Sequence, residues 1–200
     1  WGNSVSMQDL ADMWIHEAFC TYTEALYVEK MYGNEMMLKY IEEGSKRVKN
    51  DRAIIGTYDV NDMGSSDMYM KGAAVLHLLR EQLKDDSLWF KTLYDIQHKF
   101  KYQSINSGLM FGFLSERLGS DLVSVLKYYL TTNELPSLKV KAIGGKNDFT
   151  FHWENVPKGF LLAVEVEWKK KTKKILVGSS EKEFEFKKAR KGNLKVKNNL

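Results

Sequence analysis

Hydrophobic residues recur at intervals of three and four along the first two thirds of the chain, which predicts amphipathic helices. The first such stretch begins near Asp9 and stops at Gly33, and a second begins at Asn34. A loop rich in Gly, Asp and Ser follows, and after it come four more helical stretches, at about 67–83, 86–100, 107–119 and 120–133. The pattern predicts an all-helical layer with short connections.

After Pro136 the pattern changes to alternation of apolar and polar residues, which predicts strands. Six stretches show it, at 138–142, 149–153, 161–168, 175–177, 184–186 and 194–196. Their polar positions are mostly Lys and Glu, as in a sheet with one solvated face. We therefore predict an α+β fold, with a helical domain over residues 1–136 and a small antiparallel, sandwich-like β domain over 137–200.

Composition excludes several classes of protein. The chain has 200 residues, of which 44% are hydrophobic, so it can bury a core and is not disordered as a whole. A single cysteine, Cys20, excludes a disulfide scaffold, and no apolar run is long enough to cross a bilayer. Because the first residue is Trp1 and not Met, we expect a processed product or an excised fragment.

Charge is spread unevenly over a net value of +4. From residue 139 onwards, sixteen basic side chains face seven acidic ones, a local balance of +9. The run Lys169–Lys174 can be read as a patch that binds an anionic polymer or as the solvated end of a hairpin. Because no aromatic residues interleave with the lysines, we favour the hairpin and expect no nucleic-acid partner.

Two carboxylates on the first predicted helix are candidates for chemistry. Glu17 and Glu24 are seven residues apart and share one helix face. A carboxylate on a largely apolar helix is costly unless a charge or a metal meets it. By pattern alone, we favour the interpretation of Glu17 as an ordinary surface or salt-bridged glutamate.

The residues around these carboxylates resemble a known family. Trp-Gly-Asn at 1–3, Asp-Met-Trp-Ile-His-Glu-Ala-Phe at 12–19, then Tyr22 and Glu24 are similar to the segment that follows H-E-x-x-H in zinc aminopeptidases of the aminopeptidase N (gluzincin) family. A second stretch, 66–80, resembles the Y-x-K-G region of that family, with Tyr69 as its tyrosine. The order of a helical part and a small β domain is a third similarity.

The resemblance implies a function and a site. It assigns Glu17 as the third zinc ligand, Tyr69 as the phenol that stabilises the transition state, and Glu24 as the acceptor that holds a zinc-binding histidine. It implies a peptide substrate, hydrolysed at its N-terminal bond through a metal-activated water. The parent protein would carry zinc, with its paired histidines upstream of Trp1. The fragment alone is therefore expected to be metal-free and inactive. The resemblance is compatible with an exported or periplasmic location and leaves the compartment open.

This sequence also departs from the family pattern. His16 and Ala18 stand where the family usually has Asn and Gly around the ligand glutamate. Adjacent helix residues point about 100° apart, so we interpret His16 as peripheral to a metal held by Glu17. We interpret Cys20 as a buried small apolar residue. The remaining histidines are not at ligand spacing, and we expect packing or surface roles for His77, His98 and His152.

If a neighbouring helix is missing, apolar surface on the first predicted helix should be exposed and favour self-association. The surface would lie around Met13, Trp14, Phe19 and Leu26.

The alternative function is a non-catalytic helical and β module for protein interaction. Glu17 and Tyr69 should face one shared cleft if the protein descends from a peptidase, and should diverge otherwise.

Overall fold

The computed structural model describes residues 1–143, 147–186, 189 and 194–197. The chain divides into two compact units, Trp1–Asn133 and Glu134–Leu200. The boundary predicted after residue 136 falls just inside the second unit. The first unit is mainly helical and the second is built from antiparallel sheets, so the predicted α+β class is confirmed.

Within residues 1–133, all of which the structure describes, the chain forms six α-helices. They are α1 (Trp14–Tyr32), α2 (Asn34–Ser45), α3 (Met70–Leu83), α4 (Asp86–Lys99), α5 (Ser107–Leu118) and α6 (Ser120–Thr131). Gly33 separates α1 from α2 with a φ of 89°, a conformation that favours glycine, which confirms the predicted stop. None of the described helices is both long enough and apolar enough to span a bilayer.

Helix α3 is the centre of the helical unit. Residues 71–80 are all buried, because α1 packs on one side of this helix and α2, α4 and α6 pack around the rest of it. The surrounded position explains why Lys71, His77 and Arg80 are buried although a sequence pattern would place such residues at the surface.

Two helices begin later than predicted, each after a short 3-10 turn. The first turn, Leu10–Asp12, is capped by Asp9, whose carboxylate accepts from the backbone N–H of Ala11 at 2.8 Å. The second, Ser66–Met68, is capped in the same way by Ser65, and α3 begins only after Tyr69. Side-chain acceptors at these caps compete with regular helix hydrogen bonds, which shortens both helices.

A short parallel pair of strands was not predicted. Strand β1 (Val5–Met7) pairs with β2 (Gln103–Ile105), with Val5 opposite Gln103 and Met7 opposite Ile105. Three residues are too few to show alternation, and the partners are about a hundred residues apart. Local pattern therefore carries no signal for this pairing.

The second unit is a pair of three-stranded antiparallel sheets. Its strands are β3 (Ser137–Ile143), β4 (Asp148–Glu154), β5 (Leu161–Trp168), β6 (Lys171–Gly178), β7 (Lys182–Glu185) and β8 (Leu194–Lys197). One sheet has the order β3-β4-β7 and the other the order β6-β5-β8. Each of the six predicted strands corresponds to one of these strands.

The inner faces of both sheets supply one apolar core. Phe149 and Phe151 come from β4, and Val164, Val166 and Trp168 come from β5. The rings of Phe151 and Trp168 both pack against Phe186, which is fully buried. A core shared by two sheets is the sandwich-like arrangement that the alternating pattern predicted.

The lysine run forms the end of a hairpin, as predicted. Lys169 and Lys170 make the two-residue connection between β5 and β6, with Trp168 paired to Lys171. Both have positive φ, 43° and 62°, as in a type I′ turn. Lys174 on β6 lies opposite Glu165 on β5. On the other side of β5, Lys197 of β8 contacts Glu165 at 3.0 Å.

Two of the four α1 residues that were expected to form an exposed apolar patch are buried. Trp14 is fully buried and Phe19 is 1% exposed. The ring of Phe19 stacks on Trp1 at 4.4 Å, and the ring of Trp14 stacks on Phe111 at 5.7 Å. The prediction that both side chains are exposed is therefore wrong, and the structure gives no support for self-association through them.

Candidate active site

Glu17 lies in the first turn of α1 and Tyr69 lies at the residue before α3. Glu17 is half-buried, and 43% of Tyr69 is exposed. Burial raises the pKa of the Tyr69 phenol, and the nearby negative charge of Glu17 raises that pKa further. The two groups are therefore neighbours, and the phenol is protonated and able to donate a hydrogen bond at neutral pH.

A close approach of two helices brings these groups together. Gly72 on α3 lies against Ala18 on α1, so closely that a Cβ atom added to Gly72 would be 2.6 Å from the Cβ of Ala18. Tyr69 is one turn before Gly72, and Glu17 is the residue before Ala18. Because residue 72 is a glycine, α1 and α3 can approach closely enough to place the Tyr69 phenol beside the Glu17 carboxylate.

A buried hydrogen-bond network fixes the backbone on both sides of Tyr69. The carboxylate of Asp67 accepts from the backbone N–H groups of Lys49 and Asn50, at 3.0 and 2.6 Å. The ammonium group of Lys71 donates to Oδ1 of Asn50 at 2.6 Å and to the carbonyl of Thr132 at 3.3 Å. Burial lowers the pKa of Lys71, and the charge of Asp67 opposes that change.

This network holds the turn before α3 against the loop after α2 and the end of α6. Structural roles for Asp67 and Lys71 were not predicted. The signal available was a pair of opposite charges four residues apart on either side of Tyr69, at the start of the predicted helix.

A second network, also not predicted, fixes the start of α1. Asp12 is fully buried, and its Oδ1 accepts from the hydroxyl of Tyr58 at 2.7 Å and from the N–H of Ser107 at 2.9 Å. The hydroxyl of Ser107 also donates to Asp12 and accepts from Nε1 of Trp14 at 2.7 Å. The first turn of α1, which carries Glu17, is thereby joined to the start of α5.

Glu24 lies two helical turns after Glu17, on the same face of α1. Its Oε2 accepts from the hydroxyl of Tyr40 on α2 at 2.6 Å. Burial raises the pKa of Tyr40 to about 12, and the bond to Glu24 contributes to that rise. The pair lies in a cleft of about 420 Å³ that Tyr69 also lines; the lining residues are Thr21, Glu24, Tyr40, Arg47, Val48, Ser66, Asp67, Tyr69 and Met70.

His16 has a structural partner away from Glu17. Its Nε2 accepts from the backbone N–H of Met7 at 3.1 Å, and burial lowers its pKa. This contact ties α1 to β1 and agrees with the peripheral role predicted for His16. Cys20 is a free thiol of intermediate exposure, so the prediction that it is buried is wrong.

The three remaining histidines have packing or surface positions, as expected. His77 is buried on α3 beside the ring of Tyr22, and His98 stacks on Tyr94 at 3.8 Å. His152 lies on β4, with Nε2 at 3.6 Å from Glu154.

The described residues do not form a complete metal centre. Across residues 1–143, 147–186, 189 and 194–197, no group of three His, Cys, Asp or Glu side chains could hold a metal ion. Glu17 offers a carboxylate oxygen, which is a suitable donor for zinc, but a catalytic zinc takes three protein ligands. These residues by themselves therefore fit one ligand position and not the whole site.

Residues 1–129 match the peptidase family M1 domain, so the chain belongs to peptidase family M1. This is the family that the residues around Glu17 and Tyr69 resemble.

Curated relatives include an alanine/arginine aminopeptidase of Saccharomyces cerevisiae, 22% identical over 163 residues, which cover 76% of this chain and 19% of that protein. Aminopeptidase M1-A of Oryza sativa is 26% identical over 157 residues, 73% of this chain and 18% of that protein. The chain thus spans about a fifth of the length of these relatives.

Solved structures show the same fold. A Legionella pneumophila aminopeptidase A in complex with aspartic acid aligns with a TM-score of 0.72 at 17% identity, over 92% of this chain and 22% of that chain. An M1 zinc metallopeptidase from Deinococcus radiodurans aligns with a TM-score of 0.56 at 24% identity, over 66% of this chain and 30% of that chain.

Proposed function

We propose that this chain supplies one metal ligand and one transition-state donor to a zinc-dependent aminopeptidase. The observation that carries the proposal is the neighbouring position of Glu17 and Tyr69 in a chain whose first 129 residues match the M1 domain. Relatives of the chain are named aminopeptidases, and solved neighbours are named zinc metallopeptidases. A non-catalytic interaction module gives no reason for these two side chains to meet.

In this proposal Glu17 is a zinc ligand, and the other ligands come from outside the described residues. Zinc bound in such a site lowers the pKa of its water and polarises the scissile carbonyl. The two networks around Asp12 and Asp67 hold the Glu17 and Tyr69 backbones in place, so that neither group must be ordered during the reaction.

Tyr69 would act as a hydrogen-bond donor to the oxyanion that develops on the scissile carbonyl. Its raised pKa keeps the phenolic proton in place at neutral pH, and its partial exposure leaves it accessible to a peptide in the cleft. A donor that meets charge only in the transition state affects kcat more than KM.

Glu24 would accept a hydrogen bond from a zinc-binding histidine and fix the orientation of its ring. Tyr40 occupies Oε2 of this carboxylate, and no described residue donates to Oε1. The carboxylate therefore has an oxygen available for a second donor.

The first experiment compares this 200-residue chain with a longer form that includes an upstream H-E-x-x-H segment. After removal of metal by a chelator and addition of zinc, we expect turnover of an aminoacyl-naphthylamide only by the longer form. One carboxylate cannot retain zinc, so turnover by the short chain would overturn its proposed inactivity.

The second experiment tests the residue roles in the longer form. Glu17→Ala should abolish activity and zinc retention, whereas Tyr69→Phe should retain zinc and lose about 10²–10³-fold in kcat with little change in KM. The matched controls are Glu35→Gln and Tyr94→Phe, because both residues are exposed. Full activity of Tyr69→Phe would contradict the proposed role of Tyr69.

A further inference from the structure

Four buried polar atoms between α1, α3 and α4 have no hydrogen-bond partner among the described residues. They are the hydroxyl of Tyr22, both ring nitrogens of His77 and Nε1 of Trp89. The three side chains are 1%, 4% and 1% exposed. The ring of Tyr22 lies 6.3 Å from that of His77 and 5.9 Å from that of Trp89, so the three side chains form one cluster.

Such a cluster is costly if it is dry. A buried donor or acceptor without a partner loses its hydration and receives nothing in return. Buried polar groups in native proteins almost always have a partner, and ordered water supplies it where the protein does not. Four such atoms on three neighbouring side chains therefore point to a ligand that can both donate and accept.

The surrounding charges favour a neutral ligand. Arg80 is already paired, through Nη1 with Glu29 at 2.6 Å and through Nε with Asp86 at 2.8 Å. Arg80 and Trp89 lie near enough to Tyr22 to oppose the effect of burial on its pKa, but neither makes a hydrogen bond of normal geometry with it. Burial lowers the pKa of His77, so its ring offers one donor and one acceptor.

We propose that Tyr22, His77 and Trp89 form an internal hydration site that binds one or two water molecules. Nε1 of Trp89 donates only, the Tyr22 hydroxyl donates and accepts, and a neutral His77 ring does both. Water can satisfy all three groups, whereas an anion would leave the acceptor nitrogen of His77 unpaired. The site joins α1, which carries Glu17, to α3, which begins at the residue after Tyr69. Tyr22 lies on a different face of α1 from Glu17.

The direction in which the substitution Tyr22→Phe changes the stability of the chain tests the proposal. If the cluster holds water, Tyr22→Phe removes a partner of that water, and the ratio of folded to unfolded chain should fall about five- to tenfold. If the cluster is dry, the same substitution removes an unpaired hydroxyl, and the ratio should stay constant or rise. The matched control is Tyr32→Phe, because the Tyr32 side chain is 67% exposed. A constant or higher ratio for Tyr22→Phe would overturn the proposal.

A crystal structure of the unaltered 200-residue chain tests the site directly and does not depend on whether a variant folds. We expect water density within hydrogen-bond distance of the Tyr22 hydroxyl and of Trp89 or His77. An empty cluster, a direct hydrogen bond between Tyr22 and His77 or Trp89, or bromide at the site after a bromide soak would each contradict the proposal.

Discussion

The helical unit and the β unit differ in where they place polar side chains. The helical unit buries Asp12, Asp67, Lys71 and Arg80 inside hydrogen-bond networks. In the described part of residues 134–200, by contrast, Thr150 is the only buried polar residue and the ion pairs are at the surface. A buried network fixes backbone geometry at a cost in desolvation, whereas an apolar core mainly supplies stability. The candidate active site belongs to the unit that bears this cost.

The largest expected effect comes from breaking a buried pair in the helical unit. Arg80→Leu should lower the free energy of unfolding by about 3 kcal/mol, because it leaves Glu29 with no cation in a partly desolvated position. In the β unit, Lys197→Met removes an exposed partner of Glu165 and should change stability little. Urea unfolding followed by circular dichroism measures both. Equal losses in the free energy of unfolding for the two variants would contradict the proposed difference between the helical unit and the β unit.

A smaller effect is expected at the contact between α1 and α3. Gly72→Ala adds a Cβ 2.6 Å from that of Ala18, so it should cost about 1–3 kcal/mol and shift Tyr69 away from Glu17. The double variant Ala18→Gly/Gly72→Ala moves the methyl group to the other helix and should recover part of the loss. Urea unfolding of both variants measures the recovery. A double variant less stable than Gly72→Ala would show that the clash is not the cause.

The smallest effect is a dependence of stability on pH. Burial lowers the pKa of His77 below its usual 6.5 in the folded chain, so the unfolded chain takes up a proton first as the pH falls. The stabilisation is present above about pH 6.5 and is lost as the pH falls towards the folded-state pKa. The charged and titratable groups that act on His77 are Glu29, Arg80, Glu81 and Asp86.

Urea unfolding of the unaltered chain and of His77→Phe, at pH 7.5 and pH 5.5, tests this dependence. The loss of stability at the lower pH should be smaller in the variant. His16 contributes in the same direction, because its pKa is lowered too, so some dependence should remain. An unchanged pH dependence in His77→Phe would show that this histidine is not the source.

Sequence pattern predicted the fold best where one face of an element meets water. The strands of the β unit alternate cleanly, and their predicted and observed bounds differ by only a few residues. The pattern failed for features that depend on distant partners, such as the pairing of β1 with β2. It also failed for helix α1, because Trp1 and Phe111 cover apolar side chains that a missing neighbour was expected to leave exposed.

The candidate site was predicted only in part. The resemblance to the aminopeptidase N family identified Glu17, Glu24 and Tyr69, and the structure brings Glu17 beside Tyr69 and places Glu24 with Tyr69 at one cleft. The roles of all three stay predictions. Asp12 and Asp67 were missed because their partners are backbone N–H groups and hydroxyls in other segments, and such partners leave no local signature.

The contact between Gly72 and Ala18 has a consequence for thermal motion. One side of this contact is bare main chain and the other is a single methyl group, so no rotatable side chain separates the two helices. Rotamer changes cannot widen the gap between them. The spacing of the Glu17 and Tyr69 attachment points therefore fluctuates only as far as whole helices move, which is slower and smaller than side-chain motion.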